Sequence, residues 1–287
     1  MTRNRYDIFE KGGDTGVLLS HGITGAPTEM KPLIRKLASS GLTVSCPALA
    51  GHCSTLGELK KTRWTDWYAT LEQSLMELRE QCSTVFVGGL SMGALLALRL
   101  AARHHDDVAG VATLSATFFY DGWNVPRFRQ RYLLPIAMYT PIRYFYSWHE
   151  PPPFGIKDER LRNIIAAVYA NDASQMPEKY GYSEFPGVTI RETFRLIKAV
   201  KRELAKVTAP LLIVHATEDD MATLENARYL QRNVASSDVE TFFVDDTYHV
   251  LTLDRRKYDI ADRVASFIDA RLPEAEQTLE FSHDIHG

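Results

Sequence analysis

The residues whose types and spacing could carry chemistry begin with Gly89-Leu90-Ser91-Met92-Gly93. A serine hydroxyl is a weak nucleophile at neutral pH and needs a base to take its proton as it attacks. This serine stands between a β-rich apolar run, Thr84-Val85-Phe86-Val87, and an apolar helical run at 94–102. Strand, sharp turn and helix make the setting of a G-x-S-x-G nucleophile elbow, where the serine occupies a strained turn with its hydroxyl clear of the sheet. The flanking glycines allow an approach that a Cβ would block. The N–H of Met92, at the start of the following helix, points toward the same space without a partner inside the helix. Such chemistry further requires backbone donors for the oxyanion, a histidine and an acid; the elbow motif is expected to have the donors in an early loop and, after the serine, the acid and then the histidine.

The elements that must position these groups can be read along the chain. Val17-Leu18-Leu19 forms a compact buried-strand candidate that ends at His21-Gly22-Ile23-Thr24-Gly25. A helix follows with Met30, Leu33, Ile34 and Leu37 at helical spacing, closed by Gly41. Further strands are expected at 42–46, 85–87, 108–114, 210–215 and 239–244, with an amphipathic helix over 64–79. Alternating strands and helices predict an α/β fold: a mostly parallel central sheet with helices on both faces. The regularity fails between about 118 and 204, where prolines, short helical patterns and many aromatics occur, Phe128, Tyr132, Tyr146 and Trp148 among them. This stretch reads as an inserted, mainly helical cap. The expected organisation is a core in two parts, 1–117 and 205–272, the cap at 118–204, and a flexible polar tail at 273–287.

Composition narrows the class. The 287 residues are 45% hydrophobic and 24% charged, as in an ordinary globular enzyme, and the net charge of −3 argues against a polyanion-binding surface. No zinc-finger spacing or basic helix suggests a nucleic-acid partner. The first residues lack an apolar signal core, and no apolar run reaches membrane-spanning length, so no integral membrane association is expected. Cys46, Cys53 and Cys82 make no even disulfide framework. A cytoplasmic enzyme with free thiols is the expectation.

Taken together, His21-Gly22-Ile23-Thr24-Gly25, Ala48-Leu49-Ala50-Gly51-His52, the serine elbow, Asp219 after a late strand and His249 after the last strand resemble the α/β-hydrolase family. The resemblance is to its bacterial carboxylesterases and monoacylglycerol lipases. It spans roughly residues 6–271 and is weakest in the cap. It implies Ser91 as nucleophile, His249 as general base and a carboxylate that holds the imidazole. Glu218, Asp219 and Asp220 are adjacent candidates for the acid; the family pattern implies Asp219, leaving Asp220 to cap the next helix and Glu218 in solvent. The oxyanion donors implied are the N–H groups of Ile23 and Met92. Related esterases often carry an aromatic residue where Ile23 stands, which keeps the donor and changes the pocket. The resemblance makes His21 an orienting residue and implies neither cofactor nor metal. The expected partner is a small-molecule acyl ester of small-to-medium chain, monoacylglycerols among them. An acyl thioesterase and a noncatalytic binding protein on the same fold are the alternatives.

Overall fold

The computed structural model describes residues 4–124, 134–170 and 181–272. Phe128, Tyr132 and the tail at 273–287 lie outside the described residues. Nine strands can be followed: β1 (Ile8–Glu10), β2 (Thr15–Ser20), β3 (Thr43–Cys46), β4 (Thr84–Leu90), β5 (Gly110–Leu114), β6 (Ser147–His149), β7 (Glu184–Pro186), β8 (Leu211–Ala216) and β9 (Val239–Val244). Helices α1 (Lys31–Ser39), α2 (Leu56–Lys61), α3 (Trp64–Arg79) and α4 (Met92–Arg103) serve the first half. Then come α5 (Leu134–Tyr139), α6 (Glu159–Ala170), α7 (Gly187–Glu203), α8 (Glu225–Asn233) and α9 (Lys257–Asp269).

Seven strands form one sheet in the order β1-β3-β2-β4-β5-β8-β9. Only the edge strand β1 is antiparallel; the five pairings from β3 to β9 are parallel. Successive side chains of a strand point to opposite faces, and here both faces are covered, so the strands read as continuous apolar runs. Leu18, Val85, Val87, Val111, Leu211 and Ile213 pack with α3, α4 and the second half of α7. Val17, Leu19, Phe86, Ala112, Leu212 and Val214 pack on the other face with α1 and α9. All three cysteines are buried and unbridged.

Between β5 and β8 the chain leaves the sheet to build the inserted region of α5, α6 and the start of α7. That region also holds a short antiparallel pair, β6 with β7, which the sequence pattern does not suggest. Three-residue strands are too short to show alternation. The other unexpected element, α2, is a six-residue helix whose start is fixed by the Thr55 side chain accepting the Glu58 N–H at 3.2 Å.

Register fixes the site. Ser20 pairs with Gly89, so the loop after β2 and the turn after β4 leave the sheet side by side. Leu90 pairs with Leu114 across β5, and Ala216 pairs with Val244, which puts the loops after β8 and β9 next to each other. All of these loops leave carboxyl ends of parallel strands, where open α/β sheets bind their ligands.

Candidate active site

Ser91 joins β4 directly to α4 with φ 55 and ψ −112, a backbone conformation strained for a residue with a side chain. Its N–H is held by the Leu114 carbonyl at 2.8 Å. Both glycines of the motif are required by packing. A Cβ on Gly89 would lie 2.4 Å from the Gly93 carbonyl carbon, and one on Gly93 would lie 2.3 Å from the Ser20 oxygen. The strained turn is therefore wedged between the end of β2 and the first turn of α4.

The loop after β9 brings His249 to this turn, with Nε2 2.9 Å from the Ser91 hydroxyl. On the other side of the ring, Nδ1 lies 2.9 and 3.0 Å from the two carboxylate oxygens of Asp219. Asp219 in turn accepts the N–H groups of Met221 and Ala222 at 2.9 and 2.8 Å. Two backbone donors and the imidazole leave this buried carboxylate a single orientation. Burial opposes its charge, yet the His249 ring and these donors hold its pKa below the usual carboxylate value. For His249, burial again opposes charge, but Asp219, then Asp220 and Glu150, raise the imidazole above its ordinary value.

Asp220 does not cap the next helix. It is fully buried, and its oxygens accept the backbone N–H groups of His249 at 3.4 Å and Gly155 at 3.3 Å. It thus ties the histidine loop to the cap, a role invisible in a run of three acids. Glu218 faces outward and pairs with Lys157 at 2.7 Å. A second tie is Asp254, also fully buried. Its carboxylate takes Thr247 Oγ1 and the N–H groups of Tyr248, Lys157 and Asp158, at 2.8–3.0 Å.

On the opposite wall, the loop after β2 turns back at Thr24 with φ 58. Buried His21 accepts the Leu49 N–H through Nε2 at 3.2 Å and donates Nδ1–H to the Gly22 carbonyl at 2.9 Å. Burial depresses its pKa to about 4, so it stays neutral. The Glu29 carboxyl lies under the same loop and accepts the Gly22 N–H. Removal from water lifts it to about 7. Nothing in the sequence pattern singles out Glu29.

These groups meet at one cavity of about 740 Å³, whose wall includes Ile23, Ser91 and His249. Met92 opens α4 beside it, with its side chain buried in the core. The cap contributes an apolar lining with Ile156, Ile164, Ile165, Ile190 and Phe194, and one acid, Glu150, which burial and nearby Asp220 push up to about 8. The structure thus gathers Ser91, His249 and Asp219 into one hydrogen-bonded chain and sets Ile23 in the wall. A hydroxyl with a base at its proton and a carboxylate behind that base is an arrangement able to attack a carbonyl carbon.

A family model described as "Serine aminopeptidase, S33" matches residues 14–256. The thermostable monoacylglycerol lipase of Bacillus sp. (strain H-257) is 28% identical over 268 residues, covering 91% of this chain and 92% of that protein. The carboxylesterase of Bacillus subtilis (strain 168) is 24% identical over 269 residues, covering 90% and 94%. A solved structure from work on "LipS and LipT, two metagenome-derived lipolytic enzymes" superposes with a TM-score of 0.78 at 26% identity, covering 92% of this chain and 97% of that one.

Proposed function

The chain belongs to the serine aminopeptidase S33 family of α/β-hydrolases and is a serine-dependent, lipase-like ester hydrolase, and we propose that monoacylglycerols are among its substrates. The observation that carries this reading is the 2.9 Å contact between Ser91 and His249 in the wall of a largely apolar cavity of about 740 Å³. That volume is typical of sites enclosing one small organic ligand, roughly 300–1,000 Å³. A single acyl chain with a small alcohol fits this class. The similarity to a protein named monoacylglycerol lipase supports a glycerol ester as that substrate. The cap, which we place at 118–204, supplies the acyl wall.

In the proposed reaction Ser91 Oγ attacks the ester carbonyl carbon while His249 Nε2 accepts its proton. Asp219 holds Nδ1–H and stabilises the imidazolium that forms. The N–H groups of Ile23 and Met92 receive the negative oxygen of the tetrahedral intermediate. As this collapses, the carbon–oxygen bond to the alcohol breaks and His249 gives the alcohol its proton. A water, deprotonated by the same nitrogen, then cleaves the acyl-Ser91 ester and frees the acid.

The test is hydrolysis of a panel of monoacylglycerols, simple esters and matched thioesters by wild type and Ser91→Ala, with mass spectrometry of trapped enzyme. The expected outcome is monoacylglycerol turnover, an acyl adduct on Ser91, and loss of both in the variant. Equal turnover by the variant refutes the nucleophile. Turnover of simple esters without monoacylglycerols refutes the substrate, and a preference for thioesters reassigns the leaving group.

A further inference from the structure

The strongest group of side chains left unused by ester hydrolysis is on the outer side of α7. A cleft of about 490 Å³ is lined by Lys60, Lys61, Arg63, Arg143, Arg191 and Arg195. These six cations come from three separate segments: the end of α2 with the turn into α3, the 3-10 turn Pro141–Tyr144, and the first turns of α7. Their convergence is produced by the fold and is not a basic run in sequence.

The local charges do not balance. Glu58 pairs with Lys61 at 2.6 Å and Glu184 with Lys60 at 3.7 Å. Glu192 serves both Arg195, at 2.7 Å, and Arg191, at 3.8 Å. Arg143 is engaged by neutral oxygens, the Thr140 carbonyl at 2.7 Å and the Tyr144 hydroxyl at 3.0 Å. Three carboxylates thus pair with this cluster, and a fourth, Asp66, is held on the Arg63 backbone N–H at 2.8 Å, against six cations in a chain whose net charge is −3. Arg191 Nε is buried and has no hydrogen-bond partner, an expensive state for a guanidinium. The cleft also contains Val188, in the first turn of the 17-residue α7, whose preceding residue Pro186 offers no side-chain cap. The N-terminal end of a helix carries partial positive charge; at this one the Gly187 N–H already donates to the Tyr146 carbonyl at 2.8 Å.

A solvated basic face would account for lysines spread in water. It does not account for a concave site with a half-buried arginine whose Nε has no hydrogen-bond partner in the first turns of a long helix. We propose that this cleft binds a phosphate-type oxyanion, with the guanidinium groups of Arg63 and Arg191 as its main ligands. The opposite side of α7 carries Ile190 and Phe194, which line the ester cavity. A bound anion would therefore brace the helix that walls the acyl site while touching none of the reacting groups. The ligand is either free phosphate or the phosphate of an anionic lipid headgroup, since both present the same oxygens.

The test uses the full chain, with ester hydrolysis measured in parallel so that the two readings fail separately. Calorimetric and thermal-shift titrations compare inorganic phosphate with chloride at matched ionic strength. Cosedimentation compares phosphatidylglycerol vesicles with phosphatidylcholine vesicles. Saturable binding of phosphate, or selective binding of phosphatidylglycerol, is expected, and which of the two occurs assigns the source. Arg63→Gln, an exposed position, and Arg191→Gln should each weaken binding at least about tenfold; the Arg63 variant alone decides if the other is unstable. Ser91→Ala should bind as wild type. Binding of neither probe, or binding unchanged in folded Arg63→Gln, overturns the proposal.

Discussion

Asparagine at position 219 or 220 removes one charge from the same buried loop with almost no change in volume, so the pair separates contact from field. Asp219 touches the imidazole: both oxygens lie within 3.0 Å of His249 Nδ1. An amide there can turn its NH2 toward Nδ1. The ring then carries its proton on Nε2, facing Ser91, and cannot accept another. In a serine-protease triad this exchange lowers kcat about 10⁴-fold, or about 5.5 kcal/mol. Asp219→Asn is expected to lose about 10³–10⁴-fold. Of His249, Asp220 reaches only the backbone N–H, at 3.4 Å, and leaves the tautomer alone. Its loss should stay within about tenfold, or about 1.4 kcal/mol. The assay is steady-state hydrolysis of a short p-nitrophenyl ester, with circular dichroism to confirm folding. Equal losses would mean that charge alone matters, and collapse in Asp220→Asn with Asp219→Asn intact would reverse the assignment.

The pH profile follows from the same charges. His249 works as a base only when neutral, and its pKa is raised chiefly by Asp219 against the opposing effect of burial. Activity should therefore rise with pH through a limb above the ordinary histidine value of about 6.5. Asp220→Asn should move that limb down; a limb below 6.5 in wild type, or an upward move, contradicts the electrostatics. Gly93→Ala drives a methyl group to 2.3 Å from the Ser20 oxygen and 2.6 Å from the His21 oxygen. Backbone cannot yield cheaply there, so about 2–3 kcal/mol of stability should be lost, at about 2–4 °C in Tm per kcal/mol. An unchanged melting temperature would show that α4 can shift.

The alternation of apolar runs with helical patterns made the sheet legible, because strands buried on both faces must be apolar throughout. The elbow was legible for a similar reason: two glycines and a serine between strand and helix leave few geometries. Ser91, Asp219 and His249 could be placed because they follow strands in a fixed order. Glu29, Asp220 and Asp254 could not. Each acts by accepting backbone N–H groups, and such donors leave no trace in residue type. The β6–β7 pair was hidden by its length, and the cap lining by the fact that core packing and ligand contact use the same apolar side chains.

One of these overlooked acids, Asp220, also contributes to the character of the base. Loops leaving β2, β8 and β9 must hold one geometry around Ser91, yet loops lack the ladders that fix strands. Carboxylates fill that role here. Glu29 accepts Gly22 N–H under the first loop, Asp220 joins His249 to Gly155, and Asp254 gathers four donors from the histidine loop and the cap. Charged acceptors bind N–H groups about twice as strongly as neutral ones, which suits anchors meant to keep reacting groups in place. Of these anchors, Asp220 adds its negative charge to that of Asp219 beside the same imidazole, and His249 responds by holding its proton more tightly. Asp220 acts on the cavity in the same way, helping to push Glu150 up to about 8. Part of the alkaline bias of the base is thus a consequence of how its loops are fastened, through Asp220, while the larger part comes from Asp219 itself.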